Sequence, residues 1–161
     1  MIKMGMLGDY CEQVSTENRA KSQLFARLSG LCFGIGWFVI IGASADLTYG
    51  KDVNGEYYLP GIFQVVSFLM INLISWEALD ANNADQYSSP NVVVVNRAIF
   101  IFGIIIQLAC LIFAVFIVVS DFADENSGKD PATGAMIVLS NVFLFGSTWF
   151  MRWGNIPVQY E

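Results

Sequence analysis

Apolar residues fill four long stretches of the chain, and polar residues gather between them. The clearest stretch is Ala98 to Ser120, AIFIFGIIIQLACLIFAVFIVVS, with no charge and one strongly polar side chain, Gln107. As a helix rising about 1.5 Å per residue it reaches about 35 Å, enough to cross a hydrocarbon core about 30 Å thick. Arg97 and Asp121 bracket it, so charge returns where lipid should end. Once this segment is a span, the other apolar runs are judged by the same solvent. They place spans at about 28–47, 60–78 and 132–150. The pattern predicts an all-α membrane protein with four transmembrane helices. A leader occupies 1–27, the helical domain 28–153 and a short tail 154–161.

Basic residues orient the spans. Lys3, Arg19, Lys21, Arg27, Arg97 and Arg152 fall on one side of this topology, and Lys51 and Lys129 on the other. Loops rich in Lys and Arg stay cytoplasmic, so both termini are expected there, with loops 48–59 and 121–130 lumenal. The leader lacks the apolar run and cleavage site of a secretory signal. Two readings stay open for it, an interfacial amphipathic helix or a solvated arm, and Cys11 is either a free thiol or an acylation site.

Within the spans, small and polar positions carry the information. Gly30 and Gly34 form a GxxxG pair, with Gly36 close by, and Gly146 adds a small surface to the last span. Such residues let helices approach closely where no hydrophobic force drives them together. Gln64 and Asn72 are eight residues apart and share one helical face. Together with Gln107 and Asn141 they are costly against lipid, so each is expected to face another helix of the bundle or a partner. Trp76-Glu77 and Arg152-Trp153 each set an amphipathic ring beside a charge at a span end. They read as headgroup-level anchors or as an edge that docks lipid or a partner.

Composition narrows the chemistry. The net charge of −6 offers no basic cluster for nucleic acid, and the absence of histidine removes the commonest general base and metal ligand. Cys11, Cys32 and Cys110 are too far apart for a zinc or disulfide framework. No catalytic, cofactor-binding or metal-ligating residue is assigned, and no enzyme is expected.

Gly36-Trp37-Phe38-Val39-Ile40-Ile41, then Phe68-Leu69-Met70-Ile71-Asn72, and Asn141-Val142-Phe143-Leu144-Phe145-Gly146 in the last span are a distinctive set. From about residue 25 onward the chain resembles the transmembrane protein 50 family, which includes the fungal vacuolar protein sorting 68 proteins. The leader and the 79–96 loop depart from it. The resemblance implies four spans in the endoplasmic reticulum, Golgi or late endosome, no enzymatic activity, and in fungi a role with a small four-span partner in traffic to the vacuole. The expectation is therefore a non-enzymatic accessory subunit of an endomembrane complex supporting protein sorting or late endosome to vacuole/lysosome traffic. Its partners would be other integral membrane proteins and the phospholipid bilayer. A lipid-handling component that docks with or feeds a lipid-transfer protein is the alternative, and an oligomeric channel a weaker one.

Overall fold

The structure, a computed structural model, describes residues 4–50, 55–74, 76, 79, 90–122 and 130–155, with side chains at all of these except 4–18, 46–50 and 90. Glu77, the side chain of Cys11, and most of the 79–96 and 121–130 loops lie outside them. Four α-helices account for most of the described chain: α1 (Met4–Gly50), α2 (Leu59–Asn72), α3 (Pro90–Ile117) and α4 (Pro131–Gly154). A 3₁₀ turn over Gly55–Tyr58 leads into α2, and a wider π-type turn over Val118–Phe122 ends α3. No strand occurs among the described residues. In a bilayer an unpaired backbone N–H or C=O has no water to turn to, which favours structure whose hydrogen bonds close within each segment.

Three helical stretches are long and apolar enough to cross a membrane: Arg19–Ala45, Asn91–Phe122 and Pro131–Gly154. The second helix is not. Its 14 residues rise about 21 Å, whereas the sequence pattern extends this span over 60–78. The helix stops at Asn72 although apolar residues continue, and the chain bends at Leu73 and Ile74. The third helix errs the other way, starting at Pro90 rather than at 98, so Arg97 lies inside the helix. The leader, too, is helical from Met4 and continuous with the first span. α4 begins close to expectation: the Asp130 side chain accepts a hydrogen bond from the Ala132 N–H at 2.9 Å, and Pro131 occupies the first turn.

Contacts between side chains fix the directions. Phe25 meets Phe150 while Gly36 meets Leu144, so α1 and α4 run antiparallel. Gln64 reaches Gln107 while Ser67 reaches Gly103, so α2 and α3 are also antiparallel. Phe33 lies on Phe68 and Ile40 on Gly61, which sets α1 against α2 in the same sense. The helices thus alternate in direction. The start of α1, the end of α2, the start of α3 and the end of α4 meet at one end of the bundle. At the other end Tyr57, Phe122, Ala114, Ile117, Ile137 and Ala43 form a buried apolar cluster.

Glycine sets the closest approaches. A Cβ on Gly103 would stand 2.9 Å from Ile71 Cγ1 and 3.3 Å from Met70 Cβ, and one on Gly61 would stand 2.7 Å from Ile40 Cδ1. Around Gly34, by contrast, nothing lies within 4 Å. Gly103→Leu should therefore lower the stability of the purified chain in detergent by about 1–3 kcal/mol through overpacking, and Gly34→Leu should leave it unchanged. Thermal unfolding of the two variants side by side checks the pair.

Candidate functional site

The buried polar side chains form a seam through the bundle. Gln64 Nε2 donates to the Gln107 carbonyl at 3.1 Å, and Ser67 Oγ to the Gly103 carbonyl at 2.8 Å, which ties α2 to α3. Gln107 Nε2 then donates to Thr148 Oγ1 at 2.5 Å, and Thr148 Oγ1 to the Leu144 carbonyl at 3.1 Å, which carries the seam into α4. Ser29 Oγ on α1 donates to the Ser147 carbonyl at 2.9 Å. Asn72 Nδ2 donates to Phe68 O at 3.0 Å within its own helix and reaches Thr148 O at 3.5 Å. Several of these groups spend donors on main-chain carbonyls, so the seam works as a set of tethers. Among the described residues, the amide oxygens of Gln64, Asn72, Gln107 and Asn141 have no hydrogen-bond partner.

At the end of α2 the tethers converge on Arg152. Its side chain is 1% exposed. Nη1 donates to the Ile71 carbonyl at 3.2 Å and to the Ile74 carbonyl, while Trp76 Nε1 donates to the Arg152 carbonyl at 3.3 Å. The guanidinium carbon lies 3.9 Å from the centre of the Trp76 ring and 4.8 Å from that of Phe100. This arrangement explains why α2 can stop inside an apolar run. The last carbonyls of a helix have no intrahelical donor, and Arg152 supplies one from α4. Arg97 acts similarly nearby, donating from Nε to the Leu79 carbonyl at 2.9 Å.

These positions can be set against the expectations. The structure brings Gln64, Asn72 and Gln107 into the interhelical seam, and Gly36 into the α1–α4 contact, where a Cβ would stand 3.0 Å from Leu144 Cγ and 3.2 Å from the Ser140 carbonyl. Asn141 is buried but donates within its own helix, to Ile137 O at 2.8 Å. Gly30 and Gly34, read as a close-packing pair whose partner helix the sequence does not specify, both face outward, away from α4. Gly146 likewise meets only Phe150 of its own helix, at 3.9 Å. Arg152 is no headgroup-level anchor: its side chain is turned into the bundle. Trp76 joins it there, half-buried, whereas Trp153 is exposed with its ring edge-on to Phe25 and Phe150.

Sequence reasoning passed over Ser67, Thr148, Gly61, Gly103 and Gly134. A signal existed for Thr148. Ser140-Asn141 and Ser147-Thr148 repeat at a spacing of seven, which puts both pairs on one helical face. Asp121, where charge returns after the apolar stretch, accepts a hydrogen bond from the buried Tyr57 hydroxyl at 2.7 Å, which joins the entrance of α2 to the exit of α3. Between α2 and α3 there is also an open apolar groove of about 250 Å³, walled by Pro60, Phe63, Ile106, Cys110 and Phe113. Among the described residues no group of three His, Cys, Asp or Glu gathers as a metal site.

Helix directions, seam and apolar exterior define a small helical membrane protein with several membrane-length helices. The model of the uncharacterised protein family UPF0220 matches residues 9–159, and the chain belongs to that family. It is 28% identical over 145 residues to the transmembrane protein 50 homolog of Dictyostelium discoideum, covering 83% of this chain and 90% of that one. The likeness read from the GW and FLMIN segments thus extends over most of the chain. No solved structure matches it.

The seam yields a graded outcome. Gln107→Leu removes a side-chain bond between two helices and should cost about 0.6–2 kcal/mol. Asn141→Leu breaks only a bond within α4 and should cost less. Unfolding of both variants in the same detergent checks the order.

Proposed function

We propose that this chain is a non-enzymatic accessory subunit of an endomembrane complex that supports protein sorting or traffic from late endosome to vacuole or lysosome. One observation carries the reading. The face of α1 that holds Gly30, Gly34, Phe38, Ile41 and Ala45 is not covered by the chain's own helices, while Ser29, Gly36, Ile40 and Ala43 on the opposite face are buried. Bare backbone on a membrane helix favours close approach by another helix, because small residues allow van der Waals packing and weak Cα–H contacts at short range. The polar side chains, in contrast, are largely engaged within the bundle. The compartment and process come from the family likeness, and the late endosome or a neighbouring endomembrane is where the complex would sit.

In this reading α2, with its flanking turn and the bent stretch after it, completes a fourth crossing. Both termini then lie in the cytoplasm, as the distribution of basic residues favours. The other integral membrane protein docks from the side of α1. A second reading, lipid handling beside a lipid-transfer protein, draws on the groove at Cys110, whose apolar walls suit an acyl chain.

Purification of the native chain in mild detergent, followed by mass spectrometry of what accompanies it, tests the docking face. The wild type should carry an integral membrane protein at fixed ratio. Gly34→Leu should lose that protein while keeping its own unfolding temperature. If Gly34→Leu retains the partner at the wild-type ratio, the α1 face is not the docking surface. Recovery of the chain with lipid alone moves the assignment to the second reading.

A further inference from the structure

Arg152 carries a full positive charge inside the bundle, and only one edge of it is used. Nη1 serves the Ile71 and Ile74 carbonyls, whereas Nε and Nη2 have no hydrogen-bond acceptor among the described residues. Those two nitrogens form the side-on edge of the guanidinium, whose parallel N–H groups match the paired oxygens of a phosphate or carboxylate. The end of α2 contributes a partial negative charge of only about half a unit, and an unpaired charge taken out of water is strongly unfavourable. No carboxylate among the described side chains shares this end of the bundle. Glu56 precedes α2, Asp121 ends α3 and Asp130 starts α4, all at the opposite end.

Position indicates which anion fits. Arg152 lies in the last turn of α4, and the exposed Arg97 directly precedes the uncharged stretch 98–120, so both stand where acyl chains give way to headgroups. Phe25 packs on Phe150 and Trp153, which brings the α1 segment holding Arg19, Lys21 and Arg27 to the same end. A basic rim of this kind attracts an anionic leaflet. Trp76 sits against the guanidinium on bent backbone rather than in a helix, and indole rings favour headgroup depth.

We propose that the Nε–Nη2 edge of Arg152, with Arg97 and Trp76 at the same end of the bundle, binds the phosphate of an anionic phospholipid. Because the edge is buried, binding requires neighbouring side chains to yield, and Trp76 is the one not held by a helix. The site stands apart from the docking face of α1 and does not rest on the subunit reading.

The test uses the full chain in detergent, titrated with phosphatidylserine or phosphatidylcholine and read by native mass spectrometry and thermal unfolding. Wild type should retain and be stabilised by phosphatidylserine in preference to phosphatidylcholine. Arg152→Lys keeps the charge but loses the paired donors, and should weaken retention by about tenfold, the equivalent of one charge-assisted hydrogen bond. Arg97→Gln, on an exposed side chain, should fold normally and weaken it by a smaller factor. Wild-type retention in both variants, or no preference between the lipids, overturns the proposal. Displacement of the lipid by inorganic phosphate shows a free-phosphate site and overturns the lipid assignment. A co-purifying protein lost in Arg152→Lys, with lipid unchanged, assigns the edge to a partner's carboxylate instead. If Arg152→Lys does not fold, a phosphatidylserine with a photoreactive headgroup decides on the wild type. Cross-links at Trp76, Phe100 or the last turn of α4 support the site, and cross-links confined elsewhere overturn it.

Discussion

A guanidinium on the end carbonyls of a short helix is the interaction on which the rest of this bundle turns. Within lipid, a chain that leaves helical geometry must find new donors for its carbonyls. At Ile71 and Ile74 the donor comes from Arg152, about 80 residues along the chain by their numbering. That single side chain lets α2 end early, lets the backbone bend at Leu73 and brings Trp76 back over α4. It also locks α2 to α4 at the end where α3 begins, through Phe100. At 1% exposure the cap is shut off from water by the bundle itself, so the bend and the arginine stand or fall together.

The seam below it uses the same economy. Ser29, Ser67 and Gln64 each hold a carbonyl on a neighbouring helix, and a carbonyl has a second lone pair to spare after its own helical bond. Helix contact and hydrogen bond then support each other. Gly103 admits α2 closely enough for Ser67 to reach its carbonyl, and Gly36 lets α1 lie on Leu144. Each tether is worth little alone. Their distribution over the α1–α4, α2–α3, α3–α4 and α2–α4 contacts fixes the register.

Hydropathy made the first, third and fourth spans legible, because length and apolarity are properties of a segment by itself. The end of α2 was not legible, since the run from Pro60 to Trp76 carries no charge and no breaker after its first turn, and the stop is decided by a partner remote in sequence. The early start of α3 was hidden for a related reason: Arg97 read as the boundary of the apolar stretch, although a helix accommodates it. Gln64 and Gln107 could be placed inward because amides are costly against lipid. Gly30, Gly34 and Gly36 could not be sorted by the same logic. All are small, and only the choice of face by α4 separates a glycine at the contact from one looking outward. The burial of Arg152 was not legible because a charge at a span end ordinarily seeks water.

α1 is a single rod. It is 47 residues without a break, about 70 Å of continuous helix against about 30 Å of hydrocarbon. Such a rod keeps phase along its whole length. Each residue turns the helix by about 100°, so the rotation of the backbone at Met4 is tied to that at Gly36, which meets α4 far below. A single inserted residue between leader and span would rotate the start of the helix by a quarter turn or more while leaving the bundle's contacts intact. Whatever the leader meets, it meets at an angle dictated from within the membrane.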